Sequence, residues 1–338
     1  MLKIDVFNHI FPVRFFEKMD EVAPGLEDMG KRVRNIPVLV DVDARLRMLE
    51  QFGDDYRQVL TLASPPIERM AGPGVSPELA TIANDGLAEL VAEHDRFVGF
   101  VASLPLNNPD ASMAEAKRAI DQLGATGVQL FTNVNGRALD QPELLPLFEL
   151  MTAYDLPIWI HPARGAEMTD YLDEDRSRYE IWWTFGWPYE TSAMMARLVL
   201  SGYFDRFPNL KIITHHLGGM VPYFEGRVGP GLDQLGSRTT GEDLTVVLDR
   251  LDKRPLDYFK QFYGDTAVFG SAAATRCGLE FFGPDRVLFA SDCPFDPEKG
   301  PGFIRETIRV IDQDLDVPDG VKAQIYEGNA RSMLRLQL

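Results

Sequence analysis

The chain has 338 residues, of which 45% are apolar and 25% charged, and its formal net charge is −17. That composition is ordinary for a globular protein, and an acidic balance unrelieved by any basic run argues against nucleic acid or an anionic lipid surface as a partner. Two cysteines make no disulfide framework, the apolar runs are too short to cross a bilayer, and no secretory signal opens the chain, so the expected location is the cytoplasm.

Eight short runs rich in Val, Ile, Leu and Phe follow one another along the chain, separated by stretches of helical periodicity. Leu2–His9 is the first. A long insertion, Arg14–Val40, follows it, and then a helix in which Val42, Leu46 and Leu49 form an apolar stripe with Asp41 or Asp43 as N-cap. Arg57–Ser64 and Arg96–Leu106 are the second and third runs. The next helix carries Met113, Ala116, Ile120 and Leu123 on one face and ends at Gly124. Thr126–Asn133 and Leu156–Pro162 come fourth and fifth. A second insertion, Arg164–Glu190, then holds three of the four tryptophans. Leu210–His216, Lys260–Ala267 and Asp285–Asp292 complete the set. Near-continuous apolar strands alternating with helices imply a parallel sheet with its outer face covered. Eight such units imply an α/β fold of the (β/α)8 TIM-barrel type, one domain over residues 1–338, with both insertions at the C-terminal face of the barrel. An open doubly wound sheet is the alternative, but no glycine-rich dinucleotide fingerprint follows the first run.

The polar residues collect at one end of this pattern. His9 ends the first strand, His161 the fifth, and His215 and His216 the sixth. Asp292 ends the eighth, and Asp265 lies in or at the end of the seventh. Four of five histidines and two aspartates therefore converge on the rim where active sites form in this architecture. Imidazole and carboxylate together suit zinc and related divalent ions. The fifth histidine, His94, reads as a surface residue near a helix end. Cys293 is a weak nucleophile candidate, because its side chain points away from that of Asp292 in extended chain. Asp265 either acts directly or orients a histidine. Tryptophans clustered in a loop at the barrel mouth are expected to shape a pocket.

The stretches "KIDVFNHIFP", "IHP", "WPYETS", "FPNLKIITHHLGGMVP", "YGDTA" and "VLFASDCPF" together resemble the amidohydrolase-related group of the amidohydrolase superfamily, of the aminocarboxymuconate-semialdehyde decarboxylase type. The resemblance covers nearly the whole chain. It implies a divalent metal, zinc ahead of manganese, held by His9, His161 and Asp292. It implies His216 as the histidine working beside the metal, set by the "HLGG" register, with Asp292 also accepting a proton. It places Trp187 against the substrate and implies a homodimer. Arg164, in "HPARG", is the expected anchor for a substrate carboxylate, with Arg32 and Arg34 behind it. Because rings on adjacent strand residues face opposite ways, His215 is expected to support from the other face. One departure stands out: the family pattern has His-x-His or Glu-x-His on strand 1, and here Phe7 fills the first place, beside the reacting centre.

The chemistry so implied is nonoxidative decarboxylation of a small carboxylated aromatic or muconate-like acid. Metal-dependent hydrolysis of a C–N, ester or lactone bond is the alternative. Phe7 keeps open a third class, a metal-free lyase or a binding protein.

Overall fold

Eight parallel strands form in the computed structural model, which describes residues 1–336 and 338. They are β1 (Lys3–Ile10), β2 (Tyr56–Leu62), β3 (Phe97–Phe100, resuming at Ala102–Ser103), β4 (Val128–Phe131), β5 (Ile158–His161), β6 (Ile212–Thr214), β7 (Tyr263–Asp265) and β8 (Val287–Leu288). Each overlaps one of the eight apolar runs. The first part of β3 pairs with β2, which pairs with β1; its second part pairs with β4, and the ladder continues in order to β8. Three backbone bonds bring the end of the chain's last strand back to the first: Val6 N–H to Phe289 (2.9 Å), Asp292 N–H to Phe7 (3.1 Å) and His9 N–H to Cys293 (2.7 Å). The result is a (β/α)8 barrel. No helix among the described residues is long and apolar enough to cross a membrane.

Both strand faces are apolar because both are covered. On β5 and β6, Ile158, Ile160 and Ile212 pack outward beneath the helices, whereas Trp159 and Ile213 fill the barrel with Ile4, Val59 and Leu288. The helix Val42–Leu49 starts at Asp41, whose carboxylate accepts from Ala44 N–H at 2.8 Å.

Strand β1 carries an irregularity on which the site depends. Asp5 pairs with Gln58 and Asn8 with Leu60, so Val6 and Phe7 share one partner position at Val59. Ile4, Val6 and Phe7 all pack inside the barrel, and Ile10 packs outside. Strict alternation from Ile4 would send Asn8 inward and His9 outward. The extra residue reverses this and aims His9 into the barrel.

A fully buried polar network holds the bulge from outside. Arg45 donates to His9 O (2.9 Å), to Asn8 Oδ1 (2.8 Å) and to Gln58 Oε1 (2.9 and 3.1 Å). Gln58 donates to Tyr56 OH (3.1 Å), and Tyr56 and Ser291 each donate to Asp5 Oδ2 at 2.5 Å. Burial lifts the Asp5 carboxyl to about 6 in spite of those donors. Strands β1 and β2 and the chain after β8 are thereby tied together directly behind the mouth.

The two insertions meet over that mouth. Met29, from the first, packs against the cluster of Ala166, Trp182 and Trp187 in the second, and Arg176 lies 3.5 Å from Asp28.

Arg45→Met should leave three buried acceptors without a donor. At roughly 1–3 kcal/mol for each unsatisfied group, urea unfolding should show a loss of about 3 kcal/mol or more. A loss below about 1 kcal/mol would mean that the bulge is held by packing alone.

Candidate metal centre

Four side chains from four parts of the barrel converge. His9 lies on β1, His161 ends β5, His215 follows β6 and Asp292 follows β8. One ligand atom from each lies within 4.8 Å of the others, and all four residues are buried. The Asp292 carboxylate is the hub, with its Oδ1 3.1 Å from His9 Nε2 and 3.3 Å from His215 Nε2.

Each histidine is oriented through its other ring nitrogen. His161 Nδ1 donates to Pro162 O (2.7 Å) and His216 Nδ1 to Ala267 O (2.6 Å). His215 Nδ1 donates to Asp265 Oδ2 (2.6 Å). The Thr61 hydroxyl gives its own proton to Asn8 O (2.6 Å) and so accepts from His9 Nδ1 (2.9 Å). These partners leave Nε2 as the unprotonated nitrogen of each neutral ring. Two acceptor atoms, His9 Nε2 and Asp292 Oδ1, then face each other at 3.1 Å, which calls for a cation or a proton between them.

The electrostatics agree. Burial, followed by the other histidines, drives His161 well below its usual range, and burial lowers His9 as well. Burial also opposes charge on His215, but Asp265 and Asp292 outweigh it and lift this ring to about 9. Burial and the neighbouring His215 lower His216 to about 4. Burial works to raise Asp292, yet the bonds from His215 and His9 hold it far below the usual carboxylate range. Two imidazoles held neutral, His9 and His161, and a third, His215, whose charge a bound cation would displace surround an ionised carboxylate, with outer partners fixing each ring: a fitting donor set for a divalent cation.

The strand-6 pair does not follow strand geometry. β6 stops at Thr214, and His216, Leu217, Gly218 and Gly219 all have positive φ. Gly219 permits the turn to run hard against its neighbour, since a Cβ there would lie 2.5 Å from Pro188 O. This left-handed turn corrects the expectation that the two rings face opposite ways: they lie side by side, with centroids 3.8 Å apart. His215 is fully buried in the cluster, and His216 opens to the pocket.

That pocket has a volume of about 310 Å³ and is walled by Trp183, Trp187, Pro188, Val268 and Phe269, with His216 at its inner side. Trp187 also touches the cluster, its ring centroid 5.1 Å from that of His161. No Lys or Arg lines the cavity.

The sequence profile of the amidohydrolase family matches residues 8–336. The chain belongs to the amidohydrolase family, and it is an enzyme. It is 30% identical over 353 aligned residues to 2-amino-3-carboxymuconate-6-semialdehyde decarboxylase of Dictyostelium discoideum, spanning 99% of this chain and 92% of that one. The solved 5-carboxyvanillate decarboxylase of Sphingomonas paucimobilis superposes with a TM-score of 0.81 at 25% identity, over 99% of both chains. A dihydroxybenzoic acid decarboxylase of Polaromonas, solved with manganese and the inhibitor 2-nitroresorcinol, does so with a TM-score of 0.77 at 25% identity, over 98% of this chain and 96% of that one.

Other residues singled out from the sequence of this family member have definite places. Arg164 is engaged by Glu190 (3.0 Å), and its carbonyl accepts from Trp187 Nε1 (3.1 Å), so it braces the pocket wall. Phe7 lies deeper than the pocket, fully buried, with its ring 4.0 Å from that of His215. Asp265 accepts from His215 and from the backbone N–H groups of His216 and Ala267, an orienting role. Burial pushes the Cys293 thiol up to about 12, which removes it as a nucleophile. His94 caps the end of the helix Ser76–Glu93. Arg34 is bound to Asp20 within the first insertion, and Arg32 donates to Phe295 O at 2.7 Å. Thr61, Arg45 and Phe269 went unnoticed in the sequence; only their positions on or beside predicted elements hint at them.

Glu68, in the chain after β2, was also missed. It is 5% exposed, its Oε1 has no hydrogen-bond partner among the described residues, and burial lifts its carboxyl to about 8. A raised carboxyl pKa means that the folded state binds the proton more tightly. Stability from this group is therefore present below its unfolded value and lost as pH rises to about 8. Glu68→Gln should gain in Tm relative to the parent as pH rises from 5 to 8, with the difference smallest at pH 5. A difference independent of pH would place a partner on that carboxylate.

Proposed function

We propose that the protein is a metal-dependent, nonoxidative decarboxylase of a small aromatic or muconate-like carboxylic acid. The observation that carries this reading is the aromatic-walled cavity lined by His216 and Trp187, whose rings lie against those of His215 (3.8 Å) and His161 (5.1 Å) in the buried His/Asp cluster. Its flat faces, Trp183 and Trp187 in the second insertion and Phe269 after β7, suit a planar ring. The family relatives named above, all decarboxylases of such acids, support the reaction class. His9, His161 and Asp292 are assigned as metal ligands. A donor set rich in imidazole favours zinc, with manganese, found in the Polaromonas relative, as the alternative.

A divalent ion held by His9, His161 and Asp292 would supply positive charge to hold and polarise the substrate's oxygen atoms. This matters because no cationic side chain lines the cavity to hold a carboxylate. The apolar walls exclude water from an anionic reactant whose product, carbon dioxide, is neutral. When the C–C bond breaks, its electron pair stays on the ring or chain carbon, which takes up one proton. His216 is suited to move that proton. Its Nδ1–H is tied to Ala267 O, and its neutral Nε2 accepts a proton and returns it to the carbon. Asp292 is ionised and can accept a proton as well. Trp187, a wall of the cavity beside His161, is assigned to contact the substrate ring. A homodimer belongs to this reading on the family resemblance alone, and a cytoplasmic location on the sequence expectation.

Carboxyl-13C-labelled hydroxybenzoates and carboxymuconate-type acids test it directly. Labelled carbon dioxide should appear in step with loss of substrate. A product that keeps its labelled carboxyl while another bond is cleaved by water would establish a hydrolase instead.

His216→Asn should lower turnover by roughly 10²–10⁴, the usual scale for a proton-transferring group, with metal content unchanged. Trp187→Ala should raise KM more than it lowers kcat. If the His216 variant keeps full turnover, proton transfer belongs to another group.

A further inference from the structure

We infer that His215 serves as a fourth metal ligand, in the place that Phe7 leaves unfilled on β1, and that the adjacent histidines have divided roles: of the two, His215 binds metal and His216 moves protons. The inference rests on the metal-dependent reading above and deepens it.

Strand β1 delivers only one donor to the centre. The bulge turns both Phe7 and His9 inward, and Phe7 has no atom to offer a cation. Its ring instead lies against His215, with centroids 4.0 Å apart, and 5.4 Å and 6.0 Å from the rings of His9 and His161. Phe7 therefore occupies the inner side of the cluster and leaves room for a donor arriving from a neighbouring direction. His215 arrives there. It stands among the four groups whose ligand atoms lie within 4.8 Å of one another, and His216 does not.

The surroundings of His215 are those of a ligand and not of a shuttle. It has no exposed surface, so it cannot exchange protons with substrate. Its Nδ1 is fixed by Asp265 at 2.6 Å, and its Nε2 is directed to the Asp292 carboxylate at 3.3 Å. A carboxylate behind a buried imidazole, fixing its tautomer and raising its basicity, is the arrangement that supports metal-bound histidine. His216 differs on each count. It reaches the pocket, and its Nδ1 partner is a neutral carbonyl. The left-handed turn at 216–219 makes the division possible, since it sets both rings on the same side of the barrel rim.

X-ray absorption at the zinc edge of the metal-loaded native protein counts the imidazoles directly. Three imidazoles with a carboxylate oxygen are expected; two imidazoles would overturn the inference. Metal affinity in variants supplies the second measurement. His215→Phe should weaken zinc binding by at least the ~10–100-fold that loss of a supporting partner alone costs. His216→Asn should leave it unchanged, and the double variant Phe7→His/His215→Phe should recover most of the loss. Undiminished affinity in His215→Phe, or lost affinity in His216→Asn, would also overturn it. Should His215→Phe fail to fold, the absorption count on the native protein decides. Carbon dioxide release separates the two readings. Three imidazoles without release sustain the ligand and refute the decarboxylase; release with two imidazoles does the reverse. A native protein that takes up no zinc refutes the ligand.

Discussion

One buried carboxylate holds the site together. Asp292 Oδ1 lies 3.1 Å from His9 Nε2 and 3.3 Å from His215 Nε2, and the residue sits where the chain after β8 returns to β1. Its backbone is left-handed, at φ 61°, and its N–H is given to Phe7 O. A strained conformation of this kind persists only where its surroundings over-determine it. Here they are the β1 bulge on one side and three histidines on the other. A charge so deeply buried is tolerable only with close partners, so barrel closure, bulge and histidine cluster stand or fall together.

Around this hub the protein is arranged in layers of different polarity. Behind β1 lies the buried Arg45–Gln58–Tyr56–Asp5–Ser291 network, which holds the backbone of His9 without reaching its ring. In front lies an aromatic cavity with no cation in its wall. Arg164, an obvious guanidinium at the mouth, is spent on Glu190. Under the proposed decarboxylation, carboxylate recognition is therefore assigned to the centre itself, and recognition of a flat ring to Trp183, Trp187 and Phe269. The two insertions, joined through Met29 and Trp187, tie the shape of this cavity to chain from opposite sides of the barrel.

Much of this was readable in the sequence, for identifiable reasons. A parallel barrel buries both strand faces, so its strands stand out as apolar runs, and polar residues ending those runs must lie at the rim. His9, His161 and Asp292 were found on that basis. The bulge was not visible, because Val6 and Phe7 are both apolar and fit either register; only pairing with β2 reveals that one residue is extra. The His215–His216 turn was misjudged because β6 was expected to run to His216, whereas it stops at Thr214 and the glycines carry the chain into left-handed geometry. Arg45 sits beside an apolar helical stripe and reads as solvent-facing until its partners on β1 and β2 are known. The Arg164–Glu190 pair spans an insertion that no periodicity governs.

The central claim is that these buried side chains hold a divalent cation required for catalysis. Elemental analysis of freshly purified protein, with turnover followed through chelation and re-addition of metal, tests it most directly. The expected result is one divalent ion per chain, with activity lost on chelation and restored by zinc or manganese. Full activity in protein free of metal and indifferent to chelator would contradict it, and would leave His215, held between Asp265 and Asp292, as the only positive charge the centre needs.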